Sequence, residues 1–373
     1  MSSRPSLEHL HICAEGVDGQ GAEQQQVHDV WNYLPSLREL LVCRYPIPIG
    51  KINAPNLTHL ALERTGYSRA VTVQAFLDML RGCPLLETLL LNHLDHIDGG
   101  TSPSHPVCLP HLRGIEVGVY EVYSGLITHL DFPPTVAAGF RMMSLDNVNG
   151  SIPSVVMASI QRVLQRIDIR SITLAAPLDS VYTGLLFRFE GLQGSLEVTA
   201  KCPDSREQLE DFFFGPGGVL FSHPPRVKNV RELHIMGFSF SIGRGLYLLN
   251  AAMPNIVSIS FFQCNGLNTW GVLTPKNRSP IPFPRLECVM VLGRESGLEQ
   301  MAGRRRACGV PLKTLVIGQG PRGSEHDHQK DYAVLEGLVG KLWVGCPTEI
   351  LEWGTGNEIR NIWSAVEVPG PVS

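Results

Sequence analysis

A short apolar pattern, usually led by a proline, recurs along this chain and restricts its folding more than any other feature. A Pro, one residue, then L-x-x-L-x-L appears as PSLEHLHI (5–12), PSLRELLV (35–42), PNLTHLAL (55–62), PLLETLLL (84–91) and PHLRGIEV (110–117). It returns as NVRELHIM (229–236), PNIVSISF (254–261), PRLECVMV (284–291) and PLKTLVIG (311–318). Blurred copies are ITHLDF (127–132), IRSITL (169–174), GSLEVT (194–199) and CPTEILEW (346–353). In each copy the last two apolar positions alternate as in a strand and the first stands at its entrance. Burying three aliphatic side chains contributes roughly 5–9 kcal/mol gross. Ordering a rung of about 25 residues costs about 1–2 kcal/mol per residue in backbone entropy. One rung cannot stand alone, so rungs must stack with their strands in parallel.

The first apolar positions, Leu7, Leu37, Leu57, Leu86 and Leu112, then Val230, Ile256, Leu286 and Leu312, step by 30, 20, 29 and 26, then 26, 30 and 26. A mean of about 26 residues lies within the range of leucine-rich repeats. The expected fold is therefore α/β: a leucine-rich-repeat solenoid, a curved parallel sheet with helices and loops on its outer face. The whole chain, 1–373, reads as one such body, least regular over 133–225, with a short tail at 354–373. A boundary near 215–226 is the alternative. Helical returns are expected at VHDVWNYL (27–34), VQAFLDML (73–80), GLYLLNAAM (245–253) and LEGLVGKLW (335–343), with further helices at 154–167 and 205–214. A proline follows each of the four returns, at Pro35, Pro84, Pro254 and Pro347, where it ends the helix and turns the chain toward the next strand. Gly82-Cys83-Pro84 and Gly345-Cys346-Pro347 write that junction twice. Their glycines suit a left-handed helix end, and their cysteines are expected to be small buried fillers.

Composition removes several classes of function. With 31 basic and 35 acidic residues there is no global field for nucleic acid or anionic membrane, and Arg304-Arg305-Arg306 is too short to create one. No apolar run reaches the roughly 18 residues of a membrane span, and the N-terminal residues contain no signal-peptide apolar region. Nine cysteines without a C-x-x-C pair read as reduced thiols of an intracellular protein, cytoplasmic or nuclear.

The P-x-L-x-x-L-x-L strands, together with helices closing on Gly82-Cys83-Pro84 and Gly345-Cys346-Pro347, resemble the leucine-rich-repeat region of fungal F-box proteins over nearly the whole chain. The usual Asn/Cys after the strand appears only as Cys264. The resemblance implies a protein-binding module, the substrate-recognition region of an F-box-type (SCF) ubiquitin ligase adaptor. The alternative is a freestanding leucine-rich-repeat scaffold or regulator. The first repeat strand is entered by Leu7, so no residue here is assigned to contacting the Skp1 adaptor. Skp1 and a cullin are implied partners only if an F-box lies upstream. The apolar end at Leu7 calls for a cap, either from a longer product or from the helix-prone AEQQQVHDVW.

Motifs for chemistry are sparse. Gly318-Gln-Gly320-Pro-Arg-Gly323 follows a strand as in a dinucleotide-binding turn, but Pro321 and SEHDHQ delay the next helix, so a glycine-rich turn between rungs is the favoured reading. His326-Asp-His328 and His93-Leu-Asp-His96 lack a second ligand pair. No catalytic residue, cofactor or metal is expected, nor any contact with nucleic acid or membrane. The expected partner is a protein, met by the x positions of L-x-x-L-x-L on the concave sheet face: Arg38, Glu39, Leu41, Thr58, His59, Glu87, Thr88, Leu90, Arg113 and Glu116. Loops 95–107 and 319–330 are the rival sites.

Overall fold

A computed structural model of the chain describes residues 7–13, 34–45, 47–63, 71–92, 97–98, 105–119, 124–142, 154–175, 184–201, 227–236, 243–262, 264, 269–276, 280–292, 297–318 and 329–345. These residues form an α/β structure whose long, mostly parallel sheet strands number 14, a layout compatible with a solenoid. They belong to two compact units. The first holds residues 1–168 and 190–202, the second 169–189 and 203–373.

In chain order the first unit contains β1 (His9–Cys13), β2 (Glu39–Cys43), β3 (His59–Glu63), β4 (Val71–Thr72), α1 (Val73–Arg81), β5 (Thr88–Asn92), β6 (Ile97–Asp98), β7 (Val107–Cys108), β8 (Gly114–Val119), α2 (Ser124–Thr128), β9 (Leu130–Asp131), β10 (Ala137–Met142) and α3 (Ser154–Leu164). The second unit opens with β11 (Ile169–Ala175) and β12 (Gly184–Gly191), and the chain returns to the first with β13 (Ser195–Lys201). It continues with β14 (Glu232–Met236), α4 (Gly243–Ala252), β15 (Ser258–Phe262), α5 (Thr269–Leu273), β16 (Cys288–Leu292), α6 (Leu298–Ala307), β17 (Thr314–Gly318), α7 (Gln329–Leu338) and β18 (Lys341–Gly345).

The first unit's ladder runs β1-β2-β3-β5-β8-β10-β13, every pair parallel. The second runs β12-β11-β14-β15-β16-β17-β18, parallel from β11 onward. Alternation puts one residue in two on the core face. In the first unit these are Leu40, Leu60, Leu89 and Ile115, then Val42, Leu62, Leu91 and Val117, all buried. In the second, Leu233, Ile259, Val289 and Leu315 and then Ile235, Phe261, Val291 and Ile317 are buried likewise. The expected first positions follow suit: Leu37, Leu57, Leu86, Leu112, Val230, Ile256, Leu286 and Leu312 are buried, while Leu7 is 45% exposed.

The prolines do something more general than end helices. Leu37, Leu57, Leu86 and Leu112 each donate their amide to the carbonyl three residues back, on Leu34, Ala54, Cys83 and Leu109. Val136, Ile256 and Leu286 do the same to Pro133, Met253 and Phe283. Each is a β-turn with proline at its second position, where the ring's fixed φ matches what the turn requires. Val230 closes the equivalent turn onto Val227 with no proline at all. Cys83 is thus the counterpart of Ala54, Leu109, Met253 and Phe283, the buried apolar residue that opens the turn. Burial pushes its thiol up to about 12.

A second repeated device ties strand to strand. The carbonyl of the residue before one strand accepts two consecutive amides of the next. Arg38 receives Thr58 and His59, Thr58 receives Glu87 and Thr88, and Glu87 receives Arg113 and Gly114. In the second unit Arg231 receives Val257 and Ser258, Val257 receives Glu287 and Cys288, and Glu287 receives Lys313 and Thr314.

Helix α1 is the clearest return. The Thr72 hydroxyl caps it by accepting from the Ala75 amide at 3.1 Å, and Val73, Phe76, Leu77, Met79 and Leu80 face the core. Four sequence expectations need correction. Gly82 is right-handed, at φ −72°, because the turn that follows already redirects the chain. The left-handed helix end is Gly309, at φ 76°. There the Val310 amide reaches the Arg305 carbonyl and the Gly309 amide the Arg306 carbonyl, the double bond of a Schellman cap. The helix expected over 335–343 is α7, which stops at Leu338, and KLWVG forms β18. Gly345 therefore ends a strand and not a helix, and Cys346 and Pro347 lie outside the described residues. ITHLDF is the end of α2 and the short β9, which pairs with β7 away from the long ladder. The ladder strand is instead AAGFRM, where Ala138 and Phe140 take the core positions. Segments 27–33, 205–214 and 346–353 lie outside the described residues.

Candidate protein-binding face

On the first unit's ladder the residues between the core positions point to the opposite, open face, and the register aligns them in columns. The first column begins His9, Glu39, His59, Thr88, Gly114 and the second His11, Leu41, Ala61, Leu90, Glu116. A third begins Cys13, Cys43, Glu63, Asn92. Six of the expected site residues, Glu39, Leu41, His59, Thr88, Leu90 and Glu116, share this face. The other four, Arg38, Thr58, Glu87 and Arg113, stand one position earlier, at the strand entrances, where their carbonyls and amides carry the doubled ladder bonds. All ten are therefore gathered along one edge and face of one ladder.

Charge on this face is locally paired. The Glu39 carboxylate receives His9 Nδ1 at 2.8 Å and lies 3.3 Å from His11 Nε2. The His9 hydrogen bond is the largest cause holding Glu39 below its ordinary range. Arg113 lies 3.5 Å from Glu87. Arg141 Nε donates to Glu116 at 2.6 Å, and the Glu116 side chain lies against Gly139, its register partner on the same strand as Arg141. These pairs are surface-exposed and contribute little to stability; their effect is to set a pattern of sign across the face. Leu41, Ala61 and Leu90, in register on three adjacent strands and half-buried, make a short apolar strip between them.

The corresponding face of the second unit is different. Thr173, His234, Ser260, Met290 and Val316 occupy one column and are buried. Ala175, Met236, Phe262, Met290 and Val316 form an apolar cluster with Leu186 packed against it. Strands β14, β15 and β17 are thus buried on both faces over most of their length. His234 sits 3.7 Å from Glu232 of the same strand, and this neighbouring imidazole is the first cause holding the Glu232 carboxyl down, against burial, which pushes it up.

The open-face residues that escaped the sequence reading include His9, His11, Cys13, Cys43 and Ala61. The signal was present, since stacking HLHIC, ELLVC, HLALE and TLLLN column by column yields them. Arg141 was missed with its strand, because Ala138 and Gly139 stand where leucine-like residues were sought. Of the glycine motif only Gly318 is described, buried at the end of β17; Gly320, Gly323, His326, His328, His93 and His96 lie outside the described residues. Among the described residues no group of three or more His, Cys, Asp or Glu is placed to hold a metal ion, and no helix is long and apolar enough to cross a membrane. No known family model matches the chain, and no curated protein matches it significantly.

Proposed function

We propose that this chain is a leucine-rich-repeat protein with rungs of about 26 residues, whose open ladder face in the first unit binds another protein. The observation that carries the reading is the Leu41–Ala61–Leu90 strip, in register on neighbouring strands and flanked by charges of both signs. An apolar centre within a polar rim is the anatomy of a protein interface. The mixture of sign disfavours a polyanion, which calls for one sign.

Within that reading, the resemblance to fungal F-box proteins supports a substrate-recognition role in an SCF-type ubiquitin ligase, with a freestanding scaffold as the alternative. Affinity purification of the protein expressed from its native locus, followed by mass spectrometry, tests both. Skp1 and a cullin in stoichiometric amounts support the ligase role; a stable partner without them supports the scaffold. Leu41→Asp/Leu90→Asp is expected to lose the specific partner while keeping its far-ultraviolet circular dichroism and melting temperature. Retention of that partner by a folded double variant overturns the proposed face.

A further inference from the structure

The first two strands of the first unit's ladder, β1 and β2, end on cysteines that face each other. Cys13 and Cys43 are register partners, and directly paired residues of adjacent strands have α-carbons about 4.8 Å apart, within the span a disulfide bridges. Both alternate onto the open face, Cys13 exposed and Cys43 half-buried, and both are thiols. Burial is the first cause of the upward shift of the Cys43 thiol, and the neighbouring Cys13 thiol is the second. Arg44 adjoins the pair and favours the Cys43 thiolate, while Glu63 opposes it. Among the other described cysteines, Cys83 is fully buried and Cys264 is buried with its thiol donating to the Ile235 and Phe262 carbonyls; Cys108 and Cys308 are exposed and Cys288 half-buried, but the strand partners of Cys108 and Cys288 are not cysteines.

We infer that Cys13 and Cys43 form a reversible dithiol–disulfide site that responds to a small-molecule disulfide of the glutathione type. The exposed Cys13, as thiolate, attacks one sulfur of glutathione disulfide, forming a mixed disulfide and releasing one glutathione thiolate. The Cys43 thiolate then attacks the Cys13 sulfur, forming the Cys13–Cys43 bond and displacing the second glutathione thiolate. Two electrons pass from the protein pair to glutathione, and the two thiol protons end on the two glutathiones. The product staples β1 to β2. Strand β1 has no fully buried residue, and its only neighbour in the described ladder is β2, so the bond fixes the strand whose His9 and His11 flank Glu39. This inference does not depend on what the open face binds.

The test uses the full chain equilibrated in glutathione buffers of increasing oxidation, quenched by alkylation and mapped by peptide mass spectrometry. The expected result is a linked pair of peptides containing Cys13 and Cys43, a mass lower by about 2 Da than the dithiol, and reversal by dithiothreitol. Amide exchange in 9–13 is expected to slow by roughly tenfold on oxidation. In Cys43→Ser, whose site is at the ladder surface, Cys13 is expected to stop at the glutathione adduct. The inference is overturned if wild-type protein stops at that adduct as well, if both cysteines stay alkylatable throughout, or if either links to a different cysteine. Because the primary readout is on wild-type protein, misfolding of the variant leaves the test intact.

Discussion

The middle residue of the short basic run is the least expected feature at the scale of single side chains. Arg305 is fully buried, and its guanidinium donates to the carbonyls of Pro282 at 2.9 Å and Phe283 at 3.0 Å, with longer bonds to Leu273 and Leu286. Burial lowers its pKa to about 10. A cation with a planar fork of donors suits several carbonyls converging on one point, which a lysine's point charge does not. Arg305→Ala is expected to destabilise the fold by about 3–5 kcal/mol, from orphaned carbonyls and a cavity together, measured as a lower urea midpoint. Arg305→Lys should recover only part of that loss. Recovery to wild type would mean that charge alone, and not the fork, holds the turn. Glu232 carries a pH consequence. Its folded-state pKa is depressed, chiefly by His234, so the stability it confers is present above the ordinary carboxyl range and is lost as pH falls through the depressed value. Between about pH 5 and about pH 3 the melting temperature of wild type is expected to fall more than that of Glu232→Gln.

At the scale of elements, the ladder strands were legible wherever two leucine-like residues flank one other residue. In those cases burial of alternate positions decides the strand, and Leu89 and Leu315 are both fully buried. Leu89→Ala and Leu315→Ala should each cost about 2–5 kcal/mol in chemical unfolding; a near-neutral result would displace the register. AAGFRM was not legible because Ala138 is small and Phe140 makes up the volume, which breaks the letter pattern and keeps the packing. LLFRFE escaped for a related reason, with phenylalanines Phe187 and Phe189 as the buried pair. The α7–β18 boundary was misplaced because LVGKLW satisfies both helical and strand patterns, and length alone did not separate them. The prolines are expected both to end helices and to turn the chain toward the next strand; at Pro35, Pro84 and Pro254 the structure shows the turn, with proline as its second residue. Pro84→Ala should therefore cost only about 0.4–1 kcal/mol, mostly by loosening the unfolded chain, and leave the length of α1 unchanged by circular dichroism.

At the scale of the molecule, stability in a stack of like units is a sum over neighbours. Leu89→Ala is accordingly expected to raise amide exchange in 59–63 and 114–119 while leaving 288–292 and 314–318 at wild-type rates. Uniform acceleration would show a single cooperative body. The candidate site was legible in part for a molecular reason: open-face positions follow from the core period without any knowledge of chemistry. What periodicity does not convey is which unit keeps that face open. The second unit closes its face with Met236, Phe262, Met290 and Val316, substitutions of polar by apolar residues at positions the repeat leaves unrestricted.

The doubled carbonyls at the strand entrances have one more implication. The ladder bonds at Arg38, Thr58, Glu87 and Arg113 are made by their main chains, to which the side chains add the Thr58 hydroxyl's bond to the Arg38 carbonyl and the exposed Arg113–Glu87 pair, so little in the architecture depends on which side chain each carries. A lineage could rewrite that row freely, swapping basic for acidic or small for large, without paying in foldability. Recognition and folding are here written in separate alphabets on the same residues. Such a face is raw material for changing partners.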